Sequence, residues 1–142
     1  MSKYYTPEIE EFYVGFEFEQ EERVIGSTIM VKQIIKIPED ISLAFEMYNE
    51  SDEAEIRVKY LDREDIESLE WKFTGKAVCD WYEIEGNFQI GNWTSYKAKL
   101  LHDVKNNWVK VIVFDRGEEV EIFQGTIKNK SELKKLLKQL GI

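Results

Sequence analysis

The fold of this chain is decided in its second half, where residues 93–127 read WTSYKAKLLHDVKNNWVKVIVFDRGEEVEIFQGTI. Three apolar stretches with the two-residue period of half-buried strands are separated by two polar turns, Asn106-Asn107 and Asp115-Arg116-Gly117. Turns this short usually connect neighbouring antiparallel strands. The stretch therefore predicts an antiparallel meander whose strands include 96–100, 108–114 and 120–127.

The sequence after the meander predicts an amphipathic helix. Asn129 followed by Glu132 resembles a capping box, and Gly141 supplies a natural helix end. Four leucines between them, at positions 133, 136, 137 and 140, fall on one helical face. We expect this face to pack on the meander, which gives an α+β fold.

Upstream of the meander, the pattern predicts a short central helix after the natural N-cap Asp62. Strands are predicted at 12–18, 28–37, 56–60, 71–73 and 81–84. The polar run 20–23 together with Gly26 separates the first two strands, and turns are predicted at 86–87 and 91–92. Segment 38–49 fits two structures. Pro38-Glu39-Asp40 is typical of a helix start, whereas Leu43, Phe45 and Met47 alternate as in a strand. Both interpretations stay open at this point.

Length and composition fit one α+β domain covering residues 1–142. The chain is 43% hydrophobic and 13% aromatic, which suffices for a core without disulfides. Its single cysteine and the polar first residues favour a cytoplasmic protein without a signal peptide. Since no apolar run reaches the length of a bilayer span, we expect no membrane partner. The oligomeric state is not predicted.

The net charge of −9 is distributed unevenly along the chain. Residues 1–70 contain 19 acids and 7 bases, whereas residues 71–142 contain 9 acids and 12 bases. An acidic chain is a poor ligand for duplex nucleic acid, because phosphate contacts supply most of that affinity. The second half could still present a positive surface to a small anion.

The scarcity of histidine and cysteine excludes many enzyme classes. One of each is too few for a Cys/His zinc site, and the glycine-rich phosphate loop, the dinucleotide fingerprint and the nucleophile elbow are absent. Cys79 and His102 are the one possible thiol pair. Cys79 is better explained as a small buried hydrophobic residue, and His102 as a packed histidine whose proton is satisfied. The acids Asp62, Glu64, Asp65 and Glu67 could hold a metal, but they also suit a helix N-terminus. We therefore expect no catalytic residue, metal or cofactor.

Aromatic residues with interleaved lysines form the remaining candidate site. Lys97 and Lys99 are two residues apart on a predicted strand, so their side chains share one face. Trp93 lies in a predicted loop, residues 91–95, that could fold over a base, and Trp81 belongs to a neighbouring aromatic strand. Stacking on tryptophan and neutralisation by lysine are how proteins hold a nucleotide. We expect these four residues to bind a small anionic, nucleotide-like ligand; the alternative is that Trp81 anchors the core and the lysines form a solvated strand face.

Three segments carry a resemblance to a known group of proteins. They read YYTPEIEEFYVGFEFE at 4–19, IRVKYLDREDIESL at 56–69 and GTIKNKSEL at 125–133. The chain resembles small uncharacterised proteins of tailed bacteriophages and prophages of gut-type bacteria. The resemblance implies an accessory protein, of the anti-defence type, that acts in the cytoplasm of the infected host cell.

The leading expectation is thus a non-enzymatic binding protein that binds a host protein or sequesters a nucleotide-like ligand. One alternative is a small carboxylate-metal-dependent phosphodiesterase or nuclease, which needs acids that converge from several elements. The other is a structural or virion-associated domain, which needs a large exposed apolar patch.

Overall fold

The structure is a computed structural model and describes residues 3–50 and 56–142. The side chains of these residues are described too, except those of residues 23 and 45–50. The chain divides into two compact units, Met1–Tyr60 and Leu61–Ile142, and each is described by itself. This division does not test the expectation of one domain over residues 1–142, which stays a prediction.

The first unit is built on a four-stranded antiparallel sheet of order β1-β4-β2-β3. Its elements are β1 (Tyr4–Tyr5), a 3₁₀ helix (Ile9–Glu11), β2 (Glu17–Val24), β3 (Ser27–Ile34), α1 (Glu39–Glu50) and β4 (Ile56–Lys59). Its core contains Phe16, Phe18, Ile35, Ala44, Ile56 and Val58. Segment 38–49 therefore follows the helical interpretation, and the Asp40 carboxylate supports the helix start by accepting the N–H groups of Lys36 and Ile37.

Two predictions for the first unit are wrong. The strand predicted from Phe12 starts at Glu17, because Gly15 has a φ of +99° and turns the chain before it. The alternating phenylalanines cluster in space instead, with the ring centres of Phe12 and Phe16 4.9 Å apart. The polar run 20–23, predicted with Gly26 to separate the first two strands, lies inside β2, and the turn consists of residues 25–26, which include Gly26.

The second unit contains the predicted meander, extended to five antiparallel strands in chain order. Its elements are α2 (Arg63–Ser68), β5 (Lys72–Lys76), β6 (Asp80–Ile90), β7 (Trp93–Asp103), β8 (Trp108–Asp115), β9 (Glu118–Thr126) and α3 (Lys130–Leu140). The α+β fold, the central helix and the C-terminal helix are confirmed. The turn predicted at 86–87 is wrong, because Gly86 and Asn87 lie within β6 where its register with β7 shifts between Glu85 and Phe88.

Helix α3 packs on the meander through its leucine face. Leu133 is fully buried and Leu137 nearly so, in one cluster with Val109, Val111 and other sheet residues. The Asn129 side chain accepts the N–H of Glu132 at 2.8 Å, as an N-cap should. The Glu132 carboxylate reaches one residue further back than predicted and accepts the Lys128 N–H at 2.7 Å.

Candidate functional site

The predicted lysines lie on the face of the five-stranded sheet that points away from α3. Ala98, Leu100 and His102 of β7 are fully buried, and the first two belong to the cluster that contains the α3 leucines. Alternate residues of a strand point to opposite faces, so Lys97 and Lys99 point the other way. We call this surface the outer face and define it by Trp81, Glu83, Lys97, Lys99, Phe114 and Glu119.

Lys99 is the most enclosed cation of the outer face. Its Nζ lies 4.6 Å from the centre of the Trp81 ring and 3.0 Å from Oε1 of Glu119. Its side chain is only 15% exposed. Lys97 Nζ lies 3.1 Å from Oε1 of Glu83 and 5.5 Å from the centre of the Phe114 ring. Both lysines therefore combine an ion pair with an aromatic contact.

The position of Trp81 depends on a glycine in the neighbouring strand. Gly75 is opposite Trp81 in the β5–β6 register, next to a register shift between Phe73 and Gly75. A Cβ at Gly75 would lie 2.5 Å from Nε1 of Trp81, so the indole occupies the space that any other side chain would need. This close approach fixes the indole where Lys99 can lie over it.

The structure brings together three of the four predicted site residues. Trp81, Lys97 and Lys99 share the outer face. The loop position predicted for Trp93 is wrong, because Trp93 is the first residue of β7 and packs, partly buried, against the cluster that includes Leu133 and Leu137. Ser95, two residues after Trp93, is fully buried; its Oγ donates to the Lys97 carbonyl and accepts the Phe114 N–H. Binding of a ligand by these residues stays a prediction.

Carboxylates compensate the positive charge of the outer face. Glu83 and Glu119 contact Lys97 and Lys99, and Glu121 lies 3.9 Å from Lys110 on the neighbouring strands. A phosphate that approached Lys97 or Lys99 would also approach the carboxylate that is paired with that lysine. The outer face therefore attracts an anion much less than its lysines alone would.

The Cys79 and His102 side chains are in unsuitable environments for a nucleophilic pair. His102 is fully buried, and burial lowers the pKa of its imidazole. Burial, and then the charges of Asp103 and Asp80, raise the pKa of the Cys79 thiol. Both shifts oppose the thiolate–imidazolium state that thiol catalysis uses.

The acids around α2 have structural partners. Asp62 and Asp65 form a reciprocal capping box, and Glu67 pairs with Arg63 at 2.6 Å. Within residues 3–50 and 56–142, no group of three or more His, Cys, Asp or Glu side chains could hold a metal ion. A depression of about 580 Å³ lies at the β5–β6 edge; it shares Glu83 with the outer face and is also lined by Glu70, Glu85 and four other residues.

Sequence reasoning missed a surface of the first unit that we call the arm, residues 21–30. Among residues 3–50 and 56–142, β4 pairs with β2 at Glu19 and Gln20, and all eight residues of β2 pair with β3. The arm ends in Ile25, which is fully exposed, and Val24 and Ile29 are exposed by 48% and 45%. The available signal was the apolar pair Val24-Ile25 directly before a turn glycine.

Comparisons of this chain with known protein families, curated proteins and solved structures find no match. Among the described helices, none combines the length and the apolar character that crossing a membrane requires.

Proposed function

We propose that this chain is a non-enzymatic binding protein that engages another protein through the arm. The observation that carries the proposal is the exposure of three aliphatic side chains, Val24, Ile25 and Ile29, on one short hairpin. Single exposed aliphatic residues are common on protein surfaces, but a group of them on one projecting element is typical of a contact site.

The energetics of the arm favour a partner. Full burial of a valine or isoleucine side chain contributes about 1.5–3 kcal/mol. A partner that covers the arm would bury its three exposed aliphatic side chains.

A nucleotide-like ligand on the outer face is the second candidate. The contact of Lys99 with the Trp81 ring supports it, since a base could stack where the indole is accessible. The glutamates beside Lys97 and Lys99 oppose it, because phosphate would have to displace them. We therefore rank a protein partner first.

The resemblance to proteins of phages and prophages supports a setting for this activity. We place the chain among phage accessory proteins of the anti-defence type, with a protein of the bacterial host as the partner of the arm. Cytoplasmic location in the infected cell belongs to the same proposal.

The test is affinity capture from a bacterial lysate with the wild type, Ile25→Glu and the matched control Val78→Glu. Val78 is as exposed as Ile25 but lies in the second unit, so its substitution adds the same charge elsewhere. We expect Ile25→Glu to reduce the recovered partner by about tenfold or more, and Val78→Glu to leave it unchanged. Equal recovery with all three proteins would remove the arm as the binding surface.

Calorimetric titration with linear and cyclic nucleotides distinguishes the second candidate. Binding by the wild type that is lost in the double variant Lys97→Ala/Lys99→Ala would favour the outer face over the arm. Absence of binding across the panel would exclude the nucleotide hypothesis.

A further inference from the structure

The four outermost strands of the two sheets differ in how they are protected from pairing with another chain. Exposed edges are usually guarded by short length, charged residues, proline or bulges. Strand β1 has two residues, and β5 has five residues with lysine at both ends and a register shift. Strand β9 carries Glu118, Glu119 and Glu121 and meets β8 across a register shift. Three of the four edges are thus guarded.

Strand β3 lacks these guards. All eight of its residues pair with β2 in one unbroken register, and its sequence, STIMVKQI, contains no proline and one charged residue, Lys32. Two of its isoleucines, Ile29 and Ile34, are exposed by 45% and 44%. A long, regular and apolar edge of this kind is a template for one more strand.

The hairpin register indicates which backbone groups of β3 face outward. Val24 and Ser27 flank the two-residue turn Ile25-Gly26, and such a flanking pair is hydrogen-bonded. Alternate pairs along an antiparallel ladder are then hydrogen-bonded as well. The N–H and C=O groups of Thr28, Met30 and Lys32 consequently point away from β2.

Charge indicates what kind of strand would pair there. The first unit, residues 1–60, has 14 acids and 6 bases, a net charge of −8, whereas residues 61–142 have 14 acids and 13 bases, a net charge of −1. The arm itself contributes Glu21 and Glu22 beside β3. A second copy of this chain would bring a second charge of −8 to the edge, so a basic partner is favoured over self-association.

We infer that the free edge of β3 takes up an extended, lysine- or arginine-containing segment of the partner protein as a fifth strand of the first sheet. The inference rests on the proposed function and specifies how the arm binds. Backbone hydrogen bonds to the outward groups of β3 supply affinity, and the acids select basic side chains of the added strand. Ile29 and Ile34 point to opposite faces of β3, so one of them contacts the apolar side chains of a strand whose apolar residues alternate.

The probe is a short, capped peptide that alternates lysine and valine, with its glutamate–valine counterpart as the charge control. Titration into isotopically labelled protein is followed by amide chemical shifts and hydrogen exchange. We expect the lysine peptide to bind, to protect the amides of Thr28, Met30 and Lys32, and to bind at least about tenfold more tightly than the glutamate peptide.

Met30→Pro removes one outward N–H and leaves the net charge unchanged, so it separates strand addition from simple attraction. Proline is tolerated at such edge positions, and retained amide shifts of residues 56–59 verify the fold of the variant. We expect Met30→Pro to lower affinity by at least about tenfold. Equal binding by Met30→Pro, or protection outside β3, would overturn strand addition. Equal binding of the lysine and glutamate peptides would overturn the inference that the partner segment is basic. Protection of the β3 amides in a dimer without peptide would show that a second copy of this chain occupies the edge.

The inference and the proposed function fail separately. If the captured lysate protein depends on Ile25 but not on Met30, the arm is the binding surface and strand addition is wrong. If it depends on neither residue while the lysine peptide still protects β3, the edge is competent for pairing but the arm is not the surface that the captured protein uses.

Discussion

Leu133→Ala should destabilise the second unit far more than Leu136→Ala, although both remove the same atoms from α3. Leu133 is fully buried in the cluster between α3 and the sheet, whereas Leu136 is only partly buried against it. Truncation of a fully buried leucine costs about 2–5 kcal/mol, and we expect about 1 kcal/mol for Leu136→Ala because solvent already reaches its side chain. The change in helix propensity is the same for both, so the difference measures docking.

Urea denaturation followed by tryptophan fluorescence is the appropriate assay. All four tryptophans, at positions 71, 81, 93 and 108, belong to the second unit, so the signal reports its unfolding. The free energies of unfolding of the two variants are compared, provided that the slope of free energy against urea concentration is the same for both. Losses for the two variants within about 0.5 kcal/mol of each other would show that the leucine face is not docked as described.

Two further predictions concern the same unit. Burial lowers the pKa of His102, so on acidification the unfolded chain takes up this proton before the folded chain does. The contribution of neutral His102 to the free energy of unfolding is therefore fully present above the unfolded pKa of about 6.5 and is lost as the pH falls toward the lowered pKa of the folded state. Urea denaturation at several pH values measures this loss. His102→Gln should remove this component, and an unchanged pH dependence would contradict the assignment. Gly75→Ala should displace the Trp81 indole and destabilise by about 1–3 kcal/mol, with a shifted fluorescence maximum, whereas Thr74→Ala should do neither. A wild-type spectrum and stability for Gly75→Ala would contradict the close approach.

The second half of the fold was predictable because its signals are local. Asn107, Arg116 and Gly117 all have positive φ angles, of 53°, 53° and 83°, at the turns that their residue types predict. The leucine period of α3 and the caps Asn129 and Gly141 are equally local. Each signal lies within a few residues of the structure it determines, so no knowledge of the tertiary structure was needed.

The first half was less predictable because its pattern has a tertiary origin. The spacing of Phe12, Phe16 and Phe18 resembles a strand, yet the rings meet because the chain turns at Gly15 and brings them to one core. Residues 20–23 of β2 pair with β3, yet their sequence, QEER, lacks the alternation of apolar residues by which strands are recognised.

The candidate site shows the same limit. The shared face of Lys97 and Lys99 follows from the two-residue period and was predicted, since it involves one strand alone. The contact between Lys99 and Trp81 depends on the β6–β7 register, and the ion pair with Glu119 depends on two further strand pairings. Such partners are separated by up to 20 residues in sequence, so they follow from the register and cannot be inferred from spacing.

Charge is used differently in the two units, and this difference supports the assignment of the binding surface. In the second unit acids and bases are nearly equal in number. Lys97, Lys99 and Arg63 each have a glutamate within about 3 Å, so these charges form ion pairs within the unit. In the first unit 14 acids outnumber 6 bases, which gives a net charge of −8. A net negative charge of this size steers a basic partner toward the unit, and the edge of β3 lies on that same unit.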